Sequence, residues 1–172
     1  DQRMRVPRAC ACIGAREVIS VIVPVLDEAS TIASGIRALR ATHADIEVVV
    51  VDGGSVDGTR EIAAELTTVV DAPRGRARQM NAGAAVARGE TLLFLHADAR
   101  LDSAWAAAIE AAITSGVAGG TFTQTIDAHG WAYRLIERAG NWRARWLRTF
   151  YGDAGVFVTR ETFDRVGGFP DV

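Results

Sequence analysis

No lysine occurs among the 172 residues; all 19 basic side chains are arginine. That absence excludes mechanisms that need a primary amine or an ammonium point charge. Among them are the P-loop lysine, the strand lysine of protein kinases, and the Schiff-base lysine of pyridoxal phosphate or class I aldolase chemistry. Cysteine is nearly absent. Cys10 and Cys12 form a lone C-x-C among Arg3, Arg5, Arg8 and Arg16, and a closed zinc site takes four ligands. Long apolar runs are missing too: the longest, about Val18 to Leu26, is broken by Ser20 and Pro24 and is far short of the roughly 18 to 20 residues that cross a bilayer. Nor does one sign of charge dominate, since 19 basic against 21 acidic residues leaves −2, which argues against a globally basic nucleic-acid binder.

What is present is a globular composition, 49% hydrophobic and 23% charged, in a length that suits one domain with a sizeable core. Residues 1–16 lack the apolar stretch of a signal peptide and read as an N-terminal tail. Residues 17–172 read as the domain, and the expected location is cytoplasmic.

From Val18 the sequence V-I-S-V-I-V-P-V reads as a buried strand, followed by a helix from Ser30 to about Arg40 with Ile32, Ile36 and Leu39 on one face. Ile46 to Val51 is a β-branched strand without alternation, the kind covered on both faces. A helix from about Asp57 to Leu66, a strand Thr67 to Asp71, a helix Arg76 to Ala87 and a strand Thr91 to Leu95 continue the alternation. A helix near Ser103 to Thr114, a Gly-rich strand Val117 to Ile126, an Arg-rich aromatic helix Trp131 to Arg148 and a strand Gly155 to Thr159 complete it. The expectation is an α/β fold, a mostly parallel sheet with helices on both faces.

In such sheets ligands gather outside the carboxyl ends of the strands. Three of the segments found there carry carboxylates: Asp27-Glu28, Asp52-Gly53-Gly54-Ser55 and His96-Ala97-Asp98; the fourth, Pro73-Arg74-Gly75-Arg76, carries guanidiniums. Asp98 is placed to hold a hard divalent cation, with phosphate oxygens and water completing the shell; the competing role is a helix or loop cap. In D-G-G-S-V-D-G-T at 52–59, two glycines allow close backbone approach, and Ser55 or Asp57 can cap the next helix. No G-x-G-x-x-G follows either opening strand, which disfavours a dinucleotide-binding dehydrogenase. In P-R-G-R-A-R-Q-M-N-A-G at 73–83, Arg74, Arg76 and Arg78 surround a glycine at a helix start, an arrangement suited to a phosphate or diphosphate.

Taken in order, V-I-V-P-V-L-D-E-A-S-T-I, V-V-V-V-D-G-G-S-V-D-G-T, R-G-R-A-R-Q-M-N-A-G-A, L-L-F-L-H-A-D and G-D-A-G-V-F-V-T-R-E-T-F-D-R-V-G-G-F-P resemble the family 2 glycosyltransferases of the GT-A fold, over about Val18 to Val172. The resemblance implies a single GT-A, Rossmann-like domain. Its implied activity is inverting transfer of a sugar from a nucleotide diphosphate donor, linked to UDP or GDP, to an acceptor hydroxyl, assisted by Mg²⁺ or Mn²⁺. It implies that Pro24, Asp27 and Glu28 line the nucleotide pocket with Gly54 and Ser55, that Asp52 faces the base, that Arg76 and Arg78 hold the nucleotide, and that Asp98 is the metal ligand. His96 replaces the first acid of the family's D-x-D and would meet the ribose, and Gly53 replaces the second acid of D-D-x-S. Gly152 and Asp153 would lie near the reacting centre. The family's usual acidic pair shortly after G-G-F-P is not within these 172 residues. The domain is therefore expected to be C-terminally incomplete, with Asp153 as the candidate base inside the chain.

Two other readings stay open on the sequence, a non-catalytic nucleotide-sugar-binding module and a sugar-phosphate nucleotidyltransferase. The acceptor is unspecified and no nucleic-acid partner is expected. In the 131–148 stretch, Trp131, Leu135, Ala139, Trp142 and Trp146 fall on one helical stripe beside Arg134, Arg138, Arg145 and Arg148. That stripe suits either packing on the domain or a peripheral membrane contact.

Overall fold

The computed structural model describes residues 18–43, 45–122 and 155–171. Six strands, β1 (Ile19–Val25), β2 (Ile46–Asp52), β3 (Thr68–Asp71), β4 (Thr91–Phe94), β5 (Gly119–Thr121) and β6 (Val156–Thr159), form one sheet in the order β3-β2-β1-β4-β6-β5. The pairs β1–β2, β1–β4 and β2–β3 are parallel, and β6 runs antiparallel to both β4 and β5. Among the described residues only β6 is reversed, so the expected mostly parallel sheet is found with one antiparallel insertion.

The helices are α1 (Ile32–Thr42), α2 (Thr59–Ala64), α3 (Arg76–Val86), α4 (Trp105–Thr114) and α5 (Arg160–Val166). They cover both faces because the period-two alternation of the strands divides their side chains between two cores. On one face Ile19, Val21, Val23 and Val25 of β1 pack with Val48 and Val50 of β2 against Ile32, Ile36, Ala63, Trp105 and Ile109. On the other, Ile22, Val49, Val51, Leu92 and Phe94 pack against Met80, Ala84, Phe163 and Phe169. The run V-V-V-V at 48–51 is thus apolar without alternation because each side chain has a helix above it.

Pro24 sits inside β1, where a missing N–H would ordinarily break a ladder. The Ile22 carbonyl accepts from Leu95 on the β4 side, and the Val25 carbonyl accepts from Gly53 on the β2 side. Residue 24 therefore shares the β4-facing edge with residue 22, beyond the last β1–β4 pair, Ile22–Phe94. Its missing donor falls where no partner strand remains.

Several boundaries differ from expectation. α2 starts at Thr59 rather than Asp57 because the Asp57 carboxylate accepts the Thr59 amide at 3.0 Å and Gly58 turns with φ 92°. α4 starts at Trp105 rather than Ser103, after Asp102 accepts the Ala104 amide at 2.7 Å. The strand expected over 117–126 pairs only at Gly119–Thr121 within the described residues, while 123–126 and the 131–148 stretch lie outside them. Helix α5 was not expected; Thr159 opens it by accepting the Thr162 amide, and Gly167, at φ 80°, ends it. The Arg160 guanidinium then donates to the carbonyls of Ala84, Ala87 and Gly89, closing the C-terminal end of α3. No described helix is long and apolar enough to cross a membrane.

Helix α3 lies close on the sheet because position 83 has no side chain. A Cβ there would overlap Ile22 Cγ2 and come within 2.8 Å of Val51 Cγ2, both in the core. Helix propensity alone would favour alanine over glycine by about 1 kcal/mol, but overpacking two β-branched side chains costs about 1–3 kcal/mol. Gly83→Ala is expected to be destabilising, read as a lower urea midpoint with an unchanged slope.

Candidate functional site

The carboxyl ends of β1, β2 and β4 bring together most of the residues singled out in the sequence. Asp52 ends β2 and is 3% exposed. Its carboxylate accepts the Gly54 amide at 3.1 Å, the Ser55 amide at 3.0 Å and the Ser55 hydroxyl. The buried charge is thereby satisfied by its own turn. The same Ser55 oxygen accepts the Asp27 amide at 3.0 Å, and Asp27 Oδ1 accepts the Val56 amide at 2.9 Å. Asp27 is the only described non-glycine residue at positive φ, 56°. That left-handed conformation is tolerated best by Asn and Asp, and here it aims the Asp27 carboxylate across to the neighbouring loop.

A second set of bonds repeats this crossing. The Glu28 amide donates to Thr59 Oγ1 at 2.7 Å, and the Ala29 amide to Asp57 Oδ2 at 3.0 Å. Glu28 itself accepts the Thr31 hydroxyl at 2.6 Å. The β1–α1 and β2–α2 loops are therefore one braced unit in which Asp27, Glu28, Asp52 and Ser55 all take part. Asp57 and Thr59 complete the brace. In the sequence Asp57 was legible only as a cap, because its second partner, Ala29, is 28 positions away.

The guanidinium segment stands beside this unit. Gly75, at φ 143°, opens α3 so that Arg76 begins the helix with its amide unpaired by any earlier turn. Arg76 Nη2 lies 3.4 Å from His96 Nδ1 in the β4–α4 loop. A guanidinium only donates, so in this contact the ring nitrogen is the acceptor. Arg78 turns the other way and pairs with Asp171 at 2.8 Å. Asp98 is exposed at the same edge. The loop bearing it is pressed on α1, where a Cβ on Gly35 would stand 2.7 Å from the Ala97 carbonyl. Among the described residues no three His, Cys, Asp or Glu side chains converge as a metal cage. Asp98 alone fits an ion whose other ligands are phosphate oxygens and water, and does not fit a closed protein site. Gly152 and Asp153 lie outside the described residues.

Two residues that the sequence reading passed over prove central. Gln79 is 5% exposed, and its Nε2 donates to the carbonyls of Val25 at 2.8 Å and Val51 at 2.9 Å. Asn81 exchanges two bonds of 2.9 Å with the backbone of Phe169. Phe169 in turn meets Phe94 edge to face, ring centroids 4.9 Å apart. The available signal was the helix itself: Gln79 shares its sheet-facing side with Met80, Gly83 and Ala84, and an amide in such company needs partners.

A cleft of about 800 Å³ opens at the opposite end of the sheet, lined by Arg40, Glu47, Thr68 and Arg88 among others. Its most buried charged group is already paired. Partial burial raises the proton affinity of Glu47, but the Arg88 amide, the Ser20 hydroxyl and the Arg88 guanidinium together outweigh it and hold the carboxyl below its ordinary value. None of the residues singled out in the sequence lines that cleft. Most of them gather instead at the carboxyl edge.

A sequence profile described as glycosyl transferase family 2 matches residues 20–169. The succinoglycan biosynthesis protein ExoA of Rhizobium meliloti is 36% identical over 126 residues, covering 69% of this chain and 32% of its own length. The glycosyltransferase AglE of Haloferax volcanii is 29% identical over 170 residues, covering 89% and 56% respectively. A mannosyltransferase from Pyrobaculum calidifontis, solved in complex with GDP-Man and Mn²⁺, superposes with a TM-score of 0.68 at 26% identity, over 90% of this chain and 48% of that one. The TarS structure from S. aureus, at a TM-score of 0.67 and 19% identity, shares the fold. This chain spans between 32% and 56% of the length of these proteins.

The brace carries a pH dependence. The Thr59 hydroxyl and then the Ala29 amide hold the Asp57 carboxyl below its ordinary value of 3.8. A carboxyl with a lowered folded-state value stabilises the fold above the ordinary value, and that contribution is lost as pH falls through the folded value. Asp57→Asn is expected to melt below the parent at neutral pH, with the gap closing between about pH 5 and pH 2. Thermal melts followed by circular dichroism across that range would register it; a gap independent of pH would contradict it.

Proposed function

Because the chain belongs to glycosyl transferase family 2, we propose that it is the nucleotide-sugar-binding part of a glycosyltransferase that moves a sugar from a nucleotide diphosphate donor to an acceptor hydroxyl with inversion. The observation that carries this reading is the contact of Arg76 with His96, since it joins the open amino end of α3 to the loop that bears Asp98. A guanidinium, helix amides and a carboxylate at one sheet edge answer the needs of a diphosphate bridged to a cation. The mannosyltransferase determined with GDP-Man and Mn²⁺ supports the same donor chemistry.

In this reading the braced loops form the nucleoside side of the pocket. Asp52, Gly54 and Ser55 present a rigid rim, with Pro24, Asp27 and Glu28 as its opposite wall. Asp52 takes the base side, where the Gly54 and Ser55 amides of its turn hold the carboxylate in place before a ligand arrives. His96 meets the ribose. Arg76 and the first amides of α3 receive the diphosphate and stabilise the charge that builds on it as the sugar leaves. Arg78 joins them on release from Asp171. Asp98 would hold Mg²⁺ or Mn²⁺, which supplies Lewis-acid neutralisation of the same leaving group when bound. A carboxylate must take the proton of the attacking hydroxyl; Asp153 is the proposed candidate within the chain.

Thermal shift of the parent and of Asp98→Ala against UDP, GDP and their sugars, with and without Mn²⁺, tests this. A ligand that binds only the folded state adds about 2.7 kcal/mol at 100 times its Kd. Stabilisation by one nucleotide that depends on Mn²⁺ and is lost in Asp98→Ala is expected. No shift with any nucleotide would overturn the assignment.

A further inference from the structure

The side chain of Gln79 is the one buried amide that reaches both opening strands. Its Nε2 donates to carbonyls at the carboxyl ends of β1 and β2, Val25 at 2.8 Å and Val51 at 2.9 Å. Val25 stands at the last register pair of the two strands, Val25–Asp52, and the Gly53 amide reaches the same Val25 oxygen at 3.0 Å. The identity of the donor atom follows from chemistry, because only the NH₂ end of a glutamine can satisfy two carbonyls at once. Gly53 then lies directly against it: a Cβ at 53 would stand 3.0 Å from Nε2. Gln79 leaves α3 one helical turn after Arg76.

We propose that Gln79 is a positioning residue that sets the distance between the nucleoside rim, Asp52 to Ser55, and the arginine-bearing amino end of α3. The inference rests on the nucleotide-binding reading above. A nucleoside diphosphate must touch both parts, with its base near Asp52 and its phosphates near Arg76. Among the described residues no other side-chain hydrogen bond ties α3 to the ends of both β1 and β2. Met80 and Gly83 bind α3 to the sheet only through apolar packing, which is non-directional and fixes spacing less tightly than two bonds to immobile carbonyls. Gln79 touches no substrate. It acts by holding apart, at one value, two surfaces that the ligand bridges.

A ligand that spans the two parts should therefore respond to Gln79, while ligands confined to one part should not. Calorimetric titration would compare the parent with Gln79→Met, which keeps the length and removes both donors, using UDP or GDP, the matching nucleoside, and inorganic diphosphate. The expected result is a loss of about 10-fold or more in affinity for the nucleoside diphosphate, with affinities for nucleoside and inorganic diphosphate within about 2-fold of the parent. In Gln79→Glu, a carboxyl can donate only when protonated, so its affinity for the nucleoside diphosphate should recover toward the parent as pH falls, relative to the parent at each pH. This second variant also serves if Gln79→Met does not fold. Unchanged nucleoside diphosphate affinity, an equal fall for all three ligands, or a flat pH response in Gln79→Glu would each overturn the proposal while leaving the nucleotide-binding reading intact. A parent chain that binds no nucleoside diphosphate would overturn both.

Discussion

A parallel sheet ends with carbonyls that have nowhere to point. At the carboxyl end of the β1–β2 pair, the oxygens of Val25 and Val51 both lie within reach of one side chain, and a buried carbonyl without a donor costs about 1–3 kcal/mol. The donors supplied are the Gly53 amide and the Gln79 side chain. Meeting this requirement fixes where the Asp52 turn begins and how near α3 can come. With α3 in place, Gly83 allows it to rest on Ile22 and Val51, Arg76 reaches the β4 exit, and Asn81 takes hold of Phe169. The carboxyl edge is therefore organised around the termination of one strand pair.

The site is built with few mobile parts. Asp27 and Asp52, the carboxylates that the resemblance assigns to the nucleotide pocket, are engaged with backbone amides, and the two loops they come from are cross-linked at Ser55, Val56, Asp57 and Thr59. Such a rim is preorganised: its carboxylates are already oriented by backbone amides, so a ligand would not have to order them. The arginines are different. Arg76 and Arg78 are exposed on one turn of α3, and their planar forks suit two-point contact with phosphate where a lysine would offer only a point charge. The absence of lysine is in keeping with the proposed holding of a diphosphate by two-point contacts.

Most of the architecture was legible in the chain. The largely apolar, β-branched stretches at 18–25 and 46–51 implied strands covered on both faces, and the turn residues after each strand marked the edge where ligands gather in such sheets. The matching of Glycosyl transferase family 2 over residues 20–169 agrees with the ordered motifs. Less legible were α5, whose seven residues are too few for a convincing apolar period, and the start of α2, where Asp57 holds the Thr59 amide and a cross-loop partner, Ala29, as well. Gln79 and Asn81 were hidden because their partners are strand and loop backbone far away in sequence, and a backbone carbonyl has no residue signature.

By itself, then, the sequence determined which residue types exist, in what order they occur and with what local periodicity, and this was enough for an α/β sheet with a carboxylate- and arginine-bearing edge. Hydrophobic burial is short-range in pattern and can be read along the chain. Only the tertiary structure decided which carboxylates brace the loops, which arginine meets His96 and which meets Asp171, and how Gln79 spans two strand ends. Those are directional bonds between groups up to 93 positions apart, and their geometry exists only once the sheet has brought its strands together.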